Sequence, residues 1–250
     1  MLHNILWTGG WDSTFRVLDI VLNKKEAIQP FYIIDSARPS TAKEIQTMQK
    51  IKQMIIAKDK QVSSLMMDHI MIRVEEIPEN HEITSAYRYL SSQSHLGSQY
   101  DWLARYALSV GLNNLELCIH KEDKAEGFIR REVHLVQTQN DSYYKLVENP
   151  SIPQLQLFSC FRFPLLDMTK LDMADTARES GFDDVMEVTW FCYFPQKDGS
   201  PCGYCNPCKY TRAEGMGRRV PKPTLSRRTS VWSYRLKRKV RQSLQQLRGQ

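Results

Sequence analysis

Residues 3–18 read His3-Asn4-Ile5-Leu6-Trp7-Thr8-Gly9-Gly10-Trp11-Asp12-Ser13-Thr14-Phe15-Arg16-Val17-Leu18, and this stretch decides the fold. Asn4 to Trp7 is a short, mostly apolar run, long enough for one buried strand. Thr8 to Thr14 interrupts it, after which Phe15, Val17, Leu18, Val21 and Leu22 recur at close to helical spacing. The expected order is strand, glycine turn, helix. Two adjacent glycines let the chain turn without a Cβ penalty, and Asp12 or Ser13 is placed to cap the helix through a side-chain oxygen. The unpaired N–H groups of the first helical turn, with the helix dipole behind them, form an anion site suited to phosphate. Ser13 and Thr14 add hydroxyls beside it. Taken alone, a Gly-Gly turn that merely ends a strand is an equal reading.

Outward from this stretch the pattern repeats. Pro30 to Asp35 reads as a second buried strand. A helix over residues 41–58 carries Ile45, Met48, Ile51, Ile55 and Ile56, capped by Ser40 or Thr41 with Glu44 placed to complete a capping box. His69 to Glu75 is a third strand. Strand–helix alternation of this kind specifies an α/β fold with a parallel sheet and helices on its faces. Ligands then bind beyond the carboxyl ends of the strands, where Thr8–Ser13 and Asp35–Arg38 both fall. Residues 79–98 are polar and poorly periodic and are expected to form a mobile excursion over the site. A helix over 100–112 precedes a fourth strand, Leu115 to Ile119, which delivers His120-Lys121-Glu122-Asp123 to the same edge. Val133 to Val147 suggests a hairpin turning at Asn140-Asp141. Leu155 to Phe161 is expected as the fifth strand, followed by a helix near Lys170 that Gly181 ends.

Composition bounds the rest. At 250 residues, 42% hydrophobic and 25% charged, the chain has the make-up of an ordinary globular protein. The N-terminus lacks the basic and apolar regions of a signal peptide, and no apolar run approaches the roughly 20 residues of a membrane span. A cytoplasmic protein with no membrane partner is expected. There, six cysteines suit metal ligation or core packing better than disulfides. Thirteen Lys or Arg and one Glu follow Cys208, a charge of +12, which leaves −6 on residues 1–208. The expected organisation is an α/β domain over 1–189, a cysteine module over 190–215 and a basic tail over 216–250. A short basic helix is expected within the tail, over 231–247. The tail carries Trp232 and Tyr234. A solvated tail is the default reading, and contact with RNA phosphates is the sharper one.

Cys192, Cys202, Cys205 and Cys208 follow the spacing C-x9-C-x2-C-x2-C. Four thiolates at such spacing suit a tetrahedral Zn²⁺ with no position left for a catalytic water, and Gly203 relaxes the first knuckle. An iron–sulfur cluster is the rival occupant. Cys118 and Cys160 fall in expected strands and read as small core residues. His120 stands out for its strand-end position, with a polar surface role as the default reading, and Trp11 either stacks on a ligand or packs against the sheet edge.

Thr8-Gly9-Gly10-Trp11-Asp12-Ser13 resembles the pyrophosphate loop Ser-Gly-Gly-x-Asp-Ser of the PP-loop ATP pyrophosphatases, with Thr8 keeping the leading hydroxyl. With Pro164-Leu165…Lys170 and Thr189-Trp190-Phe191-Cys192…Cys202-Gly203-Tyr204-Cys205-Asn206-Pro207-Cys208, it places residues 3–215 in resemblance to the zinc-containing branch, the 7-cyano-7-deazaguanine synthases. Arg212 fits that family's usual ending. The resemblance implies a Rossmann-like fold, ATP, Mg²⁺ and Zn²⁺ as cofactors, and an ATP-dependent ligase chemistry of queuosine biosynthesis. A small-molecule carboxylate is adenylated, and ammonia or another amine then takes the acyl group. It implies that Trp7, Thr8, Gly9, Gly10, Trp11, Asp12, Ser13 and Thr14 bind ATP together with Asp35, at the adenosine pocket, and Lys170. The implied catalytic groups are Asp12, Ser13, Lys170 and Asp123, with Asp12 and Asp123 as the carboxylates for Mg²⁺. Cys192, Cys202, Cys205 and Cys208 are the implied zinc ligands. Two segments depart from the pattern. No Arg-Asn pair precedes Gln99-Tyr100-Asp101-Trp102, and Gly127-Phe128-Ile129-Arg130-Arg131 stands where the family carries Pro-Asp-Cys-Arg. A tRNA-modifying PP-loop enzyme, an RNA-binding zinc protein with a vestigial ATP site, and a homodimer all stay open at this stage.

Overall fold

The structure is a computed structural model that describes residues 1–222 together with Thr224, Thr229, Val231 and Trp232. Most of the basic tail and its expected helix lie outside the described residues. The chain opens on β1 (Leu2–Leu6) and turns through the glycines into α1 (Trp11–Leu18), which runs on as a π-helical turn to Asn23. Next come β2 (Ala27–Ile34), α2 (Thr41–Lys58) and β3 (Ile70–Arg73). These are followed by α3 (His81–Gln93), α4 (Gln99–Ser109), β4 (Leu115–Glu116) and the single turn α5 (Glu126–Ile129). A hairpin of β5 (Val133–Gln137) and β6 (Ser142–Leu146) precedes β7 (Phe161–Arg162). The helices α6 (Lys170–Glu179), α7 (Asp183–Val188) and α8 (Asn206–Thr211) follow.

Five strands form one sheet in the order β3-β2-β1-β4-β7, and every pairing is parallel. Side chains on a strand alternate between faces, and β1 shows what that does here. Ile5 and Trp7 join a core with Phe15 of α1, Met48, Ile51 and Ile55 of α2, Met173 of α6 and Val185 of α7. Leu6 joins the opposite core, with Leu90 of α3 and Leu103, Tyr106 and Ala107 of α4. Helices therefore cover both faces, as the alternating pattern predicts. Each fully buried Ile, Leu or Met in these cores contributes about 1.5–3 kcal/mol. From β1 the chain passes to β2 on one side, and β4 pairs on the other. The strand order thus reverses at β1, and the crevice beyond the ends of β1 and β4 is where such sheets take their ligands.

Local corrections follow from tertiary packing. Residues 79–98, expected as an excursion over the site, contain a helix, and His95 beyond its end lines the site cavity. Asn80 caps α3 by accepting the Ile83 N–H at 3.0 Å, and α3 buries Leu90 in the core it shares with Leu155, Leu157 and Phe158. Residues 153–158 form a 3₁₀ turn rather than the expected strand, and pairing is confined to Phe161–Arg162. The first helix is capped by Gly10 with no side-chain bond, so neither Asp12 nor Ser13 caps it. The capping box at α2 does not form either. Glu44 is buried and accepts hydroxyl hydrogen bonds from Ser40 at 2.7 Å and Tyr32 at 2.8 Å, with Arg38 at 3.0 Å.

A buried ionic network binds three of these elements. Arg16 of α1 donates from Nε and Nη2 to the two oxygens of Glu116 on β4, at 2.7 and 2.9 Å, and also to Asp141 in the hairpin turn at 2.5 Å. His3 of β1 donates to Glu116 at 2.8 Å and to Glu26 at 2.6 Å, and Lys24 also pairs with Asp141. The side chains of His3, Arg16 and Glu116 are at most 3% exposed. The expected hairpin is present in register Val133↔Leu146, and this network pins its turn to α1. Among the described residues, no helix is long and apolar enough to cross a membrane.

Candidate functional site

The glycine turn sits at the exit of β1, and its geometry demands glycine. Gly9 has φ +69°, and a Cβ there would meet Met48 Cγ at 3.1 Å and Thr47 Cγ2 at 3.3 Å. Gly9 carbonyl oxygen accepts the Trp190 N–H at 2.8 Å, so the segment leading into the cysteine module clasps the turn. The N–H groups of Trp11, Asp12 and Ser13 occupy the first turn of α1, where helical geometry gives them no intrahelical partner. They and the helix dipole face a cavity of about 500 Å³, lined by Thr8, Gly10, Asp12 and Ser13 of the turn and by Arg38 and Tyr100 opposite. That volume lies within the usual range of small-molecule sites. A smaller recess of about 150 Å³ shares Thr8, Gly10, Asp12 and Arg38 and adds Lys170 and Arg219.

The sequence-predicted residues divide sharply. Thr8, Gly10, Trp11, Asp12 and Lys170 line these spaces, as does Ser13, whose hydroxyl accepts the Thr8 N–H at 3.5 Å. Trp7 and Thr14 do not. Strand alternation turns Trp7 into the core, fully buried, where it stacks on His69 at 4.8 Å and donates to the equally buried Thr14 hydroxyl at 3.0 Å. Asp35 closes its own turn by accepting the Ala37 N–H at 2.9 Å, and Arg38 rather than Asp35 lines the cavity. Asp123 lines a separate side chamber of about 180 Å³ with Glu122, Lys124, Tyr210 and Glu214.

Four groups, Asp12, Lys170, His120 and Glu214, converge where α1, α6, the end of β4 and the segment after α8 meet. Lys170, the first residue of α6, donates to Glu214 at 2.8 Å and stands 3.9 Å from Asp12 Oδ2. Burial alone would lower Lys170, but Asp12 and Glu214 outweigh it and raise its pKa, so it is a firm cation. Glu214 is depressed to about 2 despite burial, because His120 and Lys170 flank it. His120 Nδ1 lies 3.8 Å from both Asp12 and Asp123, and its Nε2 lies 3.6 Å from Glu214. Both nitrogens are beyond hydrogen-bond reach of any partner, and Asp12 Oδ1 is likewise buried without one. Burial would lower His120, yet Asp12 and Glu214 raise it. Asp123 is raised by burial.

Glu214 and Arg219 went unseen in the sequence because both belong to the segment after the cysteines and reach the site only through the fold. Arg219 donates to Thr189 O at 2.6 Å and lies over the Trp11 ring at 4.9 Å, and burial lowers its pKa to about 10. Arg38 had a signal, since it follows directly on the second strand's exit.

Cys192, Cys202, Cys205 and Cys208 are all buried, with every sulfur within 4.8 Å of the others. The closest pairs lie at 3.4, 3.8 and 3.9 Å. Tetrahedral coordination with Zn–S of about 2.3 Å implies sulfur edges of about 3.8 Å, so the set fits one ion. The sulfurs of Cys192 and Cys202 accept backbone N–H groups from Cys202 at 3.1 Å and Cys205 at 3.3 Å, the knuckle bonds that favour thiolate. Gly203 turns at φ +79°, and a Cβ there would meet Pro221 O at 3.1 Å. With Trp190, Val220 and Val231 the cysteines form a third, separate core. Cys118 and Cys160 are held protonated by burial, Cys160 at about 12.

A parallel α/β sheet with a glycine turn at its reversal point, a cation facing that turn and a four-cysteine module defines the class of protein. The family model described as Queuosine biosynthesis protein QueC matches residues 4–218, and the chain belongs to that family. Similarity to individual relatives is local. The chain is 46% identical over 53 residues to the 7-cyano-7-deazaguanine synthase of Rhizorhabdus wittichii, which is 21% of this chain and 22% of that protein. It is 38% identical over 61 residues to the protein of the same name from Cupriavidus pinatubonensis, 24% and 26% of the two chains. The matched stretches thus span about a quarter or less of these relatives' length.

Proposed function

We propose that this chain is an ATP-dependent synthase that adenylates a carboxylate with release of pyrophosphate and passes the acyl group to ammonia or another amine. The 7-carboxy to 7-cyano-7-deazaguanine conversion is the model reaction, as the relatives' name suggests. The carrying observation is the meeting of Lys170 with the Asp12 carboxylate, whose Oδ1 is buried without a hydrogen bond, at the N-terminus of α1. In the reaction a carboxylate oxygen attacks the α-phosphorus of ATP, and the bond to the β-phosphate breaks. Negative charge then builds on the departing pyrophosphate. Donors fixed in place before that charge appears lower the barrier most. The N–H groups of Trp11 to Ser13, with Lys170 and Arg219, are such donors. Asp12 is the residue to hold Mg²⁺, which would screen the phosphates when bound. The four cysteines hold Zn²⁺ in a structural role, since a full set of four thiolates leaves no open position. Reduced thiols suit a reducing, cytoplasmic setting.

Incubation with Mg-ATP and 7-carboxy-7-deazaguanine, with and without ammonia, tests this. Acid-dependent exchange of pyrophosphate into ATP and a nitrile or amide product identified by mass support it. ATP turnover that ignores the acid and responds only to RNA would replace it with the tRNA-modifying alternative. No AMP under any condition removes it.

A further inference from the structure

The recess of about 150 Å³ lies between the glycine turn and the segments around the cysteine module, which close it with Trp190, Phe191, Thr211, Met216 and Arg219. It has the volume of about five waters at about 30 Å³ each, room for a diphosphate. It falls well below the roughly 300 Å³ at which sites for larger ligands begin. Trp11 lines it, 5% exposed, and the indole Nε1 is buried without a hydrogen-bond partner. A buried polar group left unpaired in a native fold calls for an explanation. An indole nitrogen can only donate, so whatever completes it is an acceptor. Charge narrows that acceptor to an anion. Arg38 and Glu44 pair with each other at 3.0 Å, which leaves Lys170 and Arg219 against Asp12. The Arg219 guanidinium lies 4.9 Å over the Trp11 ring and 5.3 Å over that of Phe191, with Nη2 donating to Thr189. That stack fixes the indole and sets positive potential beside its N–H. The pair lies outside the shared motif. Trp11 fills the x of Ser-Gly-Gly-x-Asp-Ser, and Arg219 stands one residue past the matched stretch 4–218.

We propose that Trp11 is a further catalytic residue, whose indole N–H donates to the pyrophosphate as it leaves the α-phosphorus, and that Arg219 is the positioning residue holding the ring. This rests on the adenylation reading given above. The acid's oxygen forms its bond to the α-phosphorus, and the bond from that phosphorus to the bridging oxygen of the β-phosphate breaks. The electron pair stays on the pyrophosphate, and no proton moves. The indole hydrogen therefore meets oxygens whose charge has just grown, where a fixed donor acts most strongly. In intact ATP the same oxygens carry less charge, so the bond strengthens as the anhydride breaks and favours the transition state over the ground state. The unpaired Nε1 of the empty site is consistent with this, because catalytic hydrogen bonds often form only once the site is occupied.

The experiment uses the full chain in two readouts: calorimetric titration with magnesium pyrophosphate alone, and acid-dependent exchange of pyrophosphate into ATP with 7-carboxy-7-deazaguanine. Trp11→Phe keeps an aromatic ring and removes the N–H. Its pyrophosphate affinity should fall at least tenfold, as expected for one hydrogen bond to a charged acceptor. The kcat of exchange should fall by a similar factor, with KM for ATP changed less than threefold. Arg219→Lys keeps the charge but loses the planar stack, and its pyrophosphate affinity should fall between the two. A third measurement needs no variant to fold. With the tryptophans labelled at the indole nitrogen, one of the five N–H resonances of the wild-type chain should move downfield as magnesium pyrophosphate saturates it. Sulfate should leave that resonance in place. Unmoved indole resonances at saturation, or a folded Trp11→Phe chain that binds and exchanges pyrophosphate as the wild type does, overturn the role of Trp11 and leave adenylation standing. An equal loss of affinity for ATP and pyrophosphate makes Trp11 merely structural and also overturns it. A wild-type chain with neither exchange nor pyrophosphate binding overturns the adenylation reading and the inference with it.

Discussion

Replacing Arg16 by Met should cost more stability than any single change on the surface of this protein. The side chain is 3% exposed and is the main cationic partner of Glu116, itself 1% exposed. Its five N–H groups are spread over Glu116, Asp141 and Asp19. Methionine fills much of the volume but leaves Glu116 with His3 alone and Asp141 with Lys24. Breaking a buried pair from one side costs about 3–5 kcal/mol, because the abandoned charge keeps its desolvation penalty. For a chain of this size each kcal/mol moves Tm by about 2–4 °C, so a fall of about 6–20 °C is expected. Calorimetry reads the shift, and hydrogen exchange over residues 133–147 should rise with it, since Asp141 pins the hairpin to α1. The double change Arg16→Met with Glu116→Leu should recover part of the loss by removing the stranded carboxylate. A fall below 2 °C, or a double variant worse than the single one, refutes the reasoning.

Asp12→Ala should abolish acid-dependent pyrophosphate exchange while Tm stays within about 2 °C, because the residue caps nothing and is part-exposed. Retained exchange in a folded variant would take Asp12 out of the site. Cys205→Ser should lower bound zinc and solubility together, as loss of one ligand weakens a site coupled to folding; metal analysis of the purified variant checks it. Stability should also follow pH from both ends. Asp141, depressed to about 2, contributes fully above the ordinary aspartate value of about 4 and is lost as pH falls through 2. Burial lowers His3 but Glu116 and Glu26 raise it on balance, so its contribution is complete below about 6.5 and is lost as pH rises through the elevated value. His69, which burial lowers to about 4, takes stability away as pH falls from about 6.5 toward 4. Tm should therefore peak near pH 6.5, and the alkaline decline should shrink in a His3→Gln variant.

The sheet was legible because local signals and tertiary demands agree. The apolar run ending at Trp7, the paired glycines and the Ile51–Ile55 stripe each say the same thing at two levels. The stripe even places α2 at its observed bounds, Thr41–Lys58. The misreadings fall where the third dimension decides. Residues 79–98 look polar because α3 buries little beyond Leu90. Leu155 to Phe161 is apolar enough for a strand, yet its leucines are needed in the core below α3 and α4. In the site, motif residues adjacent in sequence part company because a strand alternates. Thr8 reaches the cavity and Trp7 does not. Glu214 and Arg219 carry no motif of their own, and no spacing rule brings residue 214 to residue 170.

The hydrogen bond from Trp190 to Gly9 fixes an order of events during synthesis. The glycine turn leaves the ribosome before the backbone that braces it, which is translated 181 residues later. At about 5–20 residues per second that is a wait of roughly 10–40 s. Throughout it the nascent chain holds an unbraced loop, and Glu214, the partner of Lys170, has yet to be made. The brace on the glycine turn therefore closes only after Trp190 has been made, and the ion pair between Lys170 and Glu214 forms later still.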